Sequence, residues 1–428
     1  MPFILPAQQS LPERLDEFGR IGSDWIYDDF DQAQRQAKET NRPIFALFRW
    51  VPWEACPDFD GQVVRQNSEL ADLADQFVKV RFVHMKNIDL AQFQFDYDLT
   101  WAVIFLNVDG TVYGRYGSRS VEGPMVYNSM VSLKKAMERV LDLHQDYPAN
   151  RSSLAGKNQP SPKWKQAQEI PGLRREMQKQ LQQPVGPRNC IHCRNIYDGW
   201  RNTAYDQDTF TTEDLWVYPL PENIGLKIKV DEGNLIESIL SNSPSDGLDL
   251  KAGDRIQTAN DQSVTSVADL QWVLNSLPSE SELHLEVNRE GVMLKRTISL
   301  SDDWRKTDIS WRASMWNLRP RVGIHAPEIT VEEKKKLGLS PTDMALEAKW
   351  IPNQAARQAG LKSGDIIVEV AGNRQAISTA QFNLLIRLNY QPGDIVPVII
   401  RRNGQTLSLK LPMPWPIKDG DRPKLKIK

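Results

Sequence analysis

The chain has 428 residues, 40% of them hydrophobic and 25% charged, with Lys+Arg 53 against Asp+Glu 55. That length exceeds one hydrophobic core and points to roughly two to four domains. The balanced charge argues against nucleic-acid binding, which needs a surplus of phosphate-neutralising cations. No apolar run approaches the roughly 20 residues of a transmembrane helix, and Cys 3 is too few for a disulfide scaffold.

The first residues, Met1–Gln9, have an apolar patch with no basic residue before it. The patch is shorter than the roughly 7–15 apolar residues of a signal-peptide core. Two readings stand side by side: a cytoplasmic protein with a frayed start, or an upstream start with Leu5–Gln8 as the tail of an export signal.

From Trp25 to Leu143 helix and strand patterns alternate. Phe30, Ala33 and Ala37 recur at helical spacing, Pro43 breaks that pattern, and Ile44–Phe48 reads as a strand buried on both faces. Glu69–Asp75 returns to helix, and Phe77–Phe82 and Val103–Leu106 are further strands. Asp109-Gly110 is a hairpin turn into Thr111–Tyr116. Leu133, Ala136, Met137, Val140, Leu141 and His144 share one face of a closing helix. This order predicts a small α/β domain with a mixed sheet. Pro148–Gly186 is rich in Pro, Gln, Lys and Arg and reads as a linker with a short helix near Leu173–Leu181. Cys190-Ile-His-Cys193 follows.

The C-terminal half contains a repeat: Leu250-Lys-Ala-Gly-Asp-Arg-Ile256 returns as Leu361-Lys-Ser-Gly-Asp-Ile-Ile367. Each copy continues through a turn (Asn260-Asp261, Ala371–Asn373), a helix (Ala268–Leu274, Ala380–Leu388) and two strands joined by a Gly turn (Arg289–Gly291, Arg402–Gly404). A duplication accounts for this order. A connector with Trp304, Trp311 and Trp316 separates the copies.

The repeat resembles the PDZ domains of HtrA-type proteases. The second copy carries Val322-Gly-Ile324, Ile329–Leu339 and Ala359–Asp365; the first keeps Ile224–Ile228 and Ser243–Gly247 without the helical insertion. The resemblance implies an edge strand that pairs with an extended peptide and a glycine loop whose N–H groups receive its terminal carboxylate. Carried over by position, the peptide-binding residues are Ile224, Gly225 and Leu226, and Val322, Gly323 and Ile324. The alternative is that one or both copies merely pack against the rest of the chain. Protease chemistry is disfavoured, because there is no Gly-x-Ser-x-Gly motif and no serine motif to match the His 5.

The N-terminal half resembles a thioredoxin fold, with Trp53-Glu-Ala-Cys56 at the position of the active-site Cys-x-x-Cys. Trp53 stands where the attacking cysteine would be, and without a second thiol the exchange cycle cannot close. Cys56, Cys190 and Cys193 remain redox candidates for an atypical thiol-disulfide oxidoreductase or sensor. Cys190 and Cys193 suit a disulfide or dithiol; zinc lacks ligands, and haem c is disfavoured because Arg194 follows Cys193. No cofactor is expected.

The whole chain is also similar to a bacterial family of thioredoxin-like/PDZ domain (seleno)proteins found in planctomycetes, through Arg49–Val63, Phe93–Trp101, Tyr113–Gly117, Cys190–Cys193 and Lys306–Arg312. The family implies an extracytoplasmic setting. Trp50 and Trp53 depart from the cysteine or selenocysteine of some members, and Arg194 from a following histidine. The resulting layout is an N-terminal segment 1–24, a thioredoxin-like domain 25–147, a linker 148–188, a Cys-x-x-Cys connector 189–218, PDZ domains 219–301 and 320–415 around a Trp-rich connector 302–319, and a tail 416–428. It predicts an α/β domain followed by two α+β domains that bind proteins or peptides.

Overall fold

The computed structural model describes residues 24–49, 57–64, 68–173, 177 and 191–415. The chain forms two compact units, 1–307 and 308–428.

In the first unit, β1 (Ile26–Tyr27), β2 (Ile44–Arg49), β3 (Val78–Phe82), β4 (Trp101–Leu106) and β5 (Val112–Tyr116) make one sheet in the order β1-β3-β2-β4-β5. β1 and β2 run parallel to β3, while β2–β4 and β4–β5 are antiparallel. The sheet is mixed, and Asp109-Gly110 makes the expected hairpin, with Gly110 N–H donating to Asn107 O at 3.0 Å. Because side chains alternate along a strand, Ile44, Ala46 and Phe48 join one core while Phe45 and Leu47 join the other. Helix α1 (Phe30–Thr40), capped by Asp29, adds Ala33 and Ala37 to the first core. Helices α2 (Pro57–Val64), α3 (Ser68–Ala74) and α4 (Met130–Gln145) supply the second.

The stretch expected as a linker packs instead. A 3₁₀ turn at Arg151–Lys157 buries Leu154 and Lys157, and Ala167, Ile170 and Leu173 enter the first core. Leu90 N–H donates to Lys165 O at 2.7 Å. Its Pro and Gln content hides the few apolar side chains that anchor it. The structure adds helix α5 (Arg194–Asp206), which the sequence reading did not predict, with Ile196 and Tyr197 in the same core. Most of the expected helix at Leu173–Leu181 lies outside the described residues.

The first repeat comprises β6 (Leu226–Ile228), β7 (Ile236–Ile239), β8 (Arg255–Ala259), β9 (Gln262–Ser263), helix α6 (Val267–Ser276), β10 (Ser281–Arg289) and β11 (Val292–Leu300). In the second unit, α7 (Val331–Lys336), β12 (Leu346–Glu347), α8 (Gln354–Gln358), β13 (Ile366–Val370), α9 (Thr379–Asn389), β14 (Ile395–Arg402) and β15 (Gln405–Pro412) follow the same plan. The inserted turn α7 has a capping box, Thr330 with Glu333.

The shared Leu-Lys-x-Gly-Asp motif has a structural reason. Asp254 accepts the Lys251 N–H at 2.9 Å and two bonds from Arg289, at 2.7 and 2.8 Å. Asp365 accepts the Lys362 N–H at 2.7 Å and two bonds from Arg402, both at 2.6 Å. A bidentate pair fixes the guanidinium plane, so each copy ties its glycine turn to the hairpin in the same way.

Candidate functional site

In the first copy the expected loop enters β6, and in the second it leads to an isolated bridge at His325; the flanking apolar side chains are buried, Ile224, Leu226 and Val322 fully and Ile324 nearly so. Gly225 and Gly323 have positive φ, 86° and 59°, a region that disfavours other residues. Both also sit close to neighbours. A Cβ on Gly225 would lie 1.8 Å from Ser243 Oγ, and one on Gly323 would lie 3.2 Å from Asn353. Neither glycine can change without cost to the fold.

The segment before each loop docks on the following helix at equivalent positions. Tyr218 N–H donates to Asn275 Oδ1 at 2.8 Å, and Arg387 donates to Trp316 O at 3.3 Å. The two copies then diverge. In the second, His325 pairs with Trp350, its N–H donating to Trp350 O at 2.8 Å. The backbone of Ile324 and Ala326 therefore faces the opposite edge, toward α9. Thr379 at the start of α9 donates to Ala326 O at 2.7 Å. Among the described residues, the N–H groups of Gly323, Ile324 and Ala326 have no acceptor. Asn383, Leu385 and Leu388 on α9 are half-buried, and His325 and Trp350 are exposed. This is an edge with open donors beside a helix that is not fully covered.

In the first copy every residue from Val267 to Leu274 on α6 is buried. The cover is the N-terminal half of the same unit. Arg115 on edge strand β5 donates its N–H to Asp269 Oδ1 at 3.1 Å, and its carbonyl accepts from Ser266 Oγ at 2.5 Å. A sheet edge needs such partners. Lys157 Nζ lies 3.0 Å from Asp269 Oδ2, both side chains buried; burial pulls the lysine pKa down while the carboxylate beside it holds it up. The Arg115 guanidinium stacks on Trp272 at 3.6 Å, and Trp272 Nε1 donates to Gly156 O at 3.0 Å. Helix α4 contributes Arg139, which donates to Thr265 O at 2.8 Å, and Lys135, paired with Glu232 at 2.5 Å. Asp269 and Lys157 were not among the expected site residues. The one sequence signal was that α6 is apolar on nearly every side.

Of the cysteines, Cys56 and Cys190 lie outside the described residues. Cys193 is a free thiol preceding α5 and packed against the first core. Burial pushes its pKa up to about 12, the opposite of an activated thiol. Burial likewise lowers the neighbouring His192 to about 4. Among the described residues, no cluster of three or more His, Cys, Asp or Glu is placed to hold a metal, and no helix is long and apolar enough to cross a membrane.

A separate cavity of about 630 Å³ lies where β1 and β3 end, lined by Asp28, Phe30, His84, Lys86 and Phe93 among others. His84 Nδ1 accepts the Lys86 N–H at 3.1 Å, and its Nε2 lies 3.6 Å from Asp28 Oδ2. Burial raises Asp28 to about 7 and lowers His84 to about 4.

Comparison with known proteins bears on the repeat. A probable periplasmic DegP-like serine endoprotease of Marinomonas sp. (strain MWYL1) is 27% identical over 185 residues, 43% of this chain and 38% of that protein. Its counterpart in Pseudomonas savastanoi pv. phaseolicola is 30% identical over 165 residues, 38% of this chain and 33% of the relative. The chain thus spans well under half the length of these curated relatives. Among solved structures, the HtrA-type protease AlgW with a decapeptide is similar at 14% identity and TM-score 0.20, covering 32% of this chain and 50% of that one. The serine endoprotease from Yersinia pestis is similar at 26% identity and TM-score 0.15, covering 22% and 29%. Residues 223–300 match the PDZ domain family model, so the first repeat, from the turn before Gly225 to the end of β11, is a PDZ domain.

Proposed function

We propose that this protein is a peptide-binding scaffold whose working groove is in the second repeat, read as a second PDZ domain. A C-terminal or extended segment of a partner protein would add to the Ile324–Ala326 edge, with its carboxylate at Gly323 and Ile324. The observation that carries the reading is that, among the described residues, the N–H groups of Ile324 and Ala326 have no acceptor on the edge that faces a half-covered α9. Buried or edge backbone donors normally find acceptors, and an incoming strand supplies them. We further propose that residues 25–147 are a thioredoxin-like domain without exchange chemistry, since Trp53 replaces the attacking cysteine. Nothing favours the thiol-oxidoreductase alternative at Cys193, whose thiol is held protonated.

The test is a C-terminal peptide library panned on the full chain, followed by titration of the selected peptides against wild type and Ile324→Pro, which removes one N–H. Tight binding to wild type and at least a tenfold loss in the variant, with the circular dichroism spectrum retained, is the expected result. Equal affinity for both chains would defeat the assignment.

A further inference from the structure

The groove of the first repeat is bounded by β6 and α6. Lys227 pairs with Ser238 and Leu240 N–H donates to Gly225 O, so the backbones of Leu226 and Ile228 face the outer edge, toward the helix. That is where a ligand strand would lie in this domain type. A segment of the N-terminal half is bonded to α6 and to the turn that precedes β6. At one end Ser118 Oγ donates to Gln271 Oε1 on α6. At the other, the Tyr127 hydroxyl donates to Glu222 Oε2 at 2.6 Å, on the turn that leads into Gly225. Between them Tyr127, only 7% exposed, belongs to the same core as Ile224, Leu226, Leu270 and Leu274, and Val126 packs beside it.

From this geometry we infer that residues 118–127 act as an intramolecular ligand that fills the first groove, leaving the second repeat to take partners. The inference rests on the reading of these loops as peptide-binding. The segment is shaped in advance. Asn128 closes it, its Nδ2 donating to Ser118 O at 2.9 Å and Pro124 O at 2.8 Å while its Oδ1 accepts the Ser118 N–H at 3.3 Å. Ser120 and Gly123 bridge within it. A preorganised ligand loses little entropy on docking, and covalent connection gives it an effective concentration in the millimolar range. The pairs Lys135–Glu232 and Lys157–Asp269 hold the two halves together around it. A free peptide would have to displace Tyr127 and compete with a tethered rival.

The experiment is hydrogen–deuterium exchange on the full chain, wild type and Tyr127→Ala, each with and without a synthetic peptide of the sequence of residues 118–127 bearing a free C-terminus. The expected result is at least a tenfold rise in exchange at residues 224–228 in the variant, and protection of those residues by the peptide in the variant alone. If Tyr127→Ala loses its folded spectrum, Tyr127→Phe removes only the bond to Glu222 and should give a severalfold rise at the same amides. Protection of 224–228 by the peptide in wild type, or exchange there unchanged in both variants, overturns the inference. Protection at residues 322–326 reports on the second repeat separately, so failure of one reading does not mimic failure of the other.

Discussion

Asp269, on the helix of the first repeat, accepts the backbone N–H of Arg115 on the edge strand of the N-terminal sheet at 3.1 Å, across 154 residues of chain. The same carboxylate accepts the Thr265 N–H at 3.0 Å and lies 3.0 Å from Lys157 Nζ. One side chain therefore braces the turn into the helix, bonds the sheet edge and pairs with a buried cation, and the sheet and the PDZ domain lie in one compact unit.

Asp269→Asn should be strongly destabilising, because it leaves Lys157 buried without a counter-ion. Breaking one side of a buried pair costs about 3–5 kcal/mol. Urea denaturation of the full chain, followed by far-UV circular dichroism, measures it. A loss below about 1 kcal/mol would mean that the two halves are not held by this pair.

Gly225→Val should lower the melting temperature more than Gly323→Val. Both force a β-branched residue into positive φ, a strain of about 1–3 kcal/mol, but only the first drives Cβ to 1.8 Å from Ser243 Oγ. Differential scanning fluorimetry ranks the two; the reverse order would contradict the close approach at Gly225.

The Asp28–His84 pair makes a pH prediction with opposed signs. Asp28 titrates at 3.8 unfolded and about 7 folded, so the folded state holds the extra proton and stability falls as pH rises through that window. His84 titrates at 6.5 unfolded and about 4 folded, so stability rises with pH between about 4 and 6.5. The two largely cancel there. Asp28→Asn should therefore turn this pair's contribution into one that increases from pH 4.5 to 6.5, and His84→Gln into one that decreases. Chemical denaturation at the two pH values decides it: the two variants should deviate from wild type with opposite slopes, and parallel curves for all three proteins would show that neither group is perturbed.

Cys193 should be alkylated far more slowly than a free model thiol at neutral pH, because burial raises its pKa to about 12 and leaves almost no thiolate. Iodoacetamide labelling with peptide mapping reads its rate separately from those of Cys56 and Cys190. Fast labelling of Cys193 in the native chain would revive a thiol function.

How much of this was legible differs by element. The unbroken apolar run Ile44–Phe48 after Pro43 was recognisable as a doubly buried strand, because both faces of a strand are written in consecutive residues. The repeated Leu-Lys-x-Gly-Asp was legible too, since a glycine turn and the aspartate that ties it to an arginine are local requirements copied with the motif. The turns at Asn260-Asp261 and Asn403-Gly404, with φ of 46°, 61°, 47° and 78°, follow from residue types that tolerate positive φ.

What the tertiary structure alone decided is that the helix of the first repeat is covered by the N-terminal half. Both copies carry the same loop, the same helix and the same ion pair, so local sequence makes them look like equal binding modules. Their difference lies in contacts between residues that are distant in the chain: Tyr127 with Glu222, Ser118 with Gln271, and Arg115 and Lys157 with Asp269. No periodicity or spacing encodes such pairings, because each partner is an ordinary polar residue until packing removes water from around it.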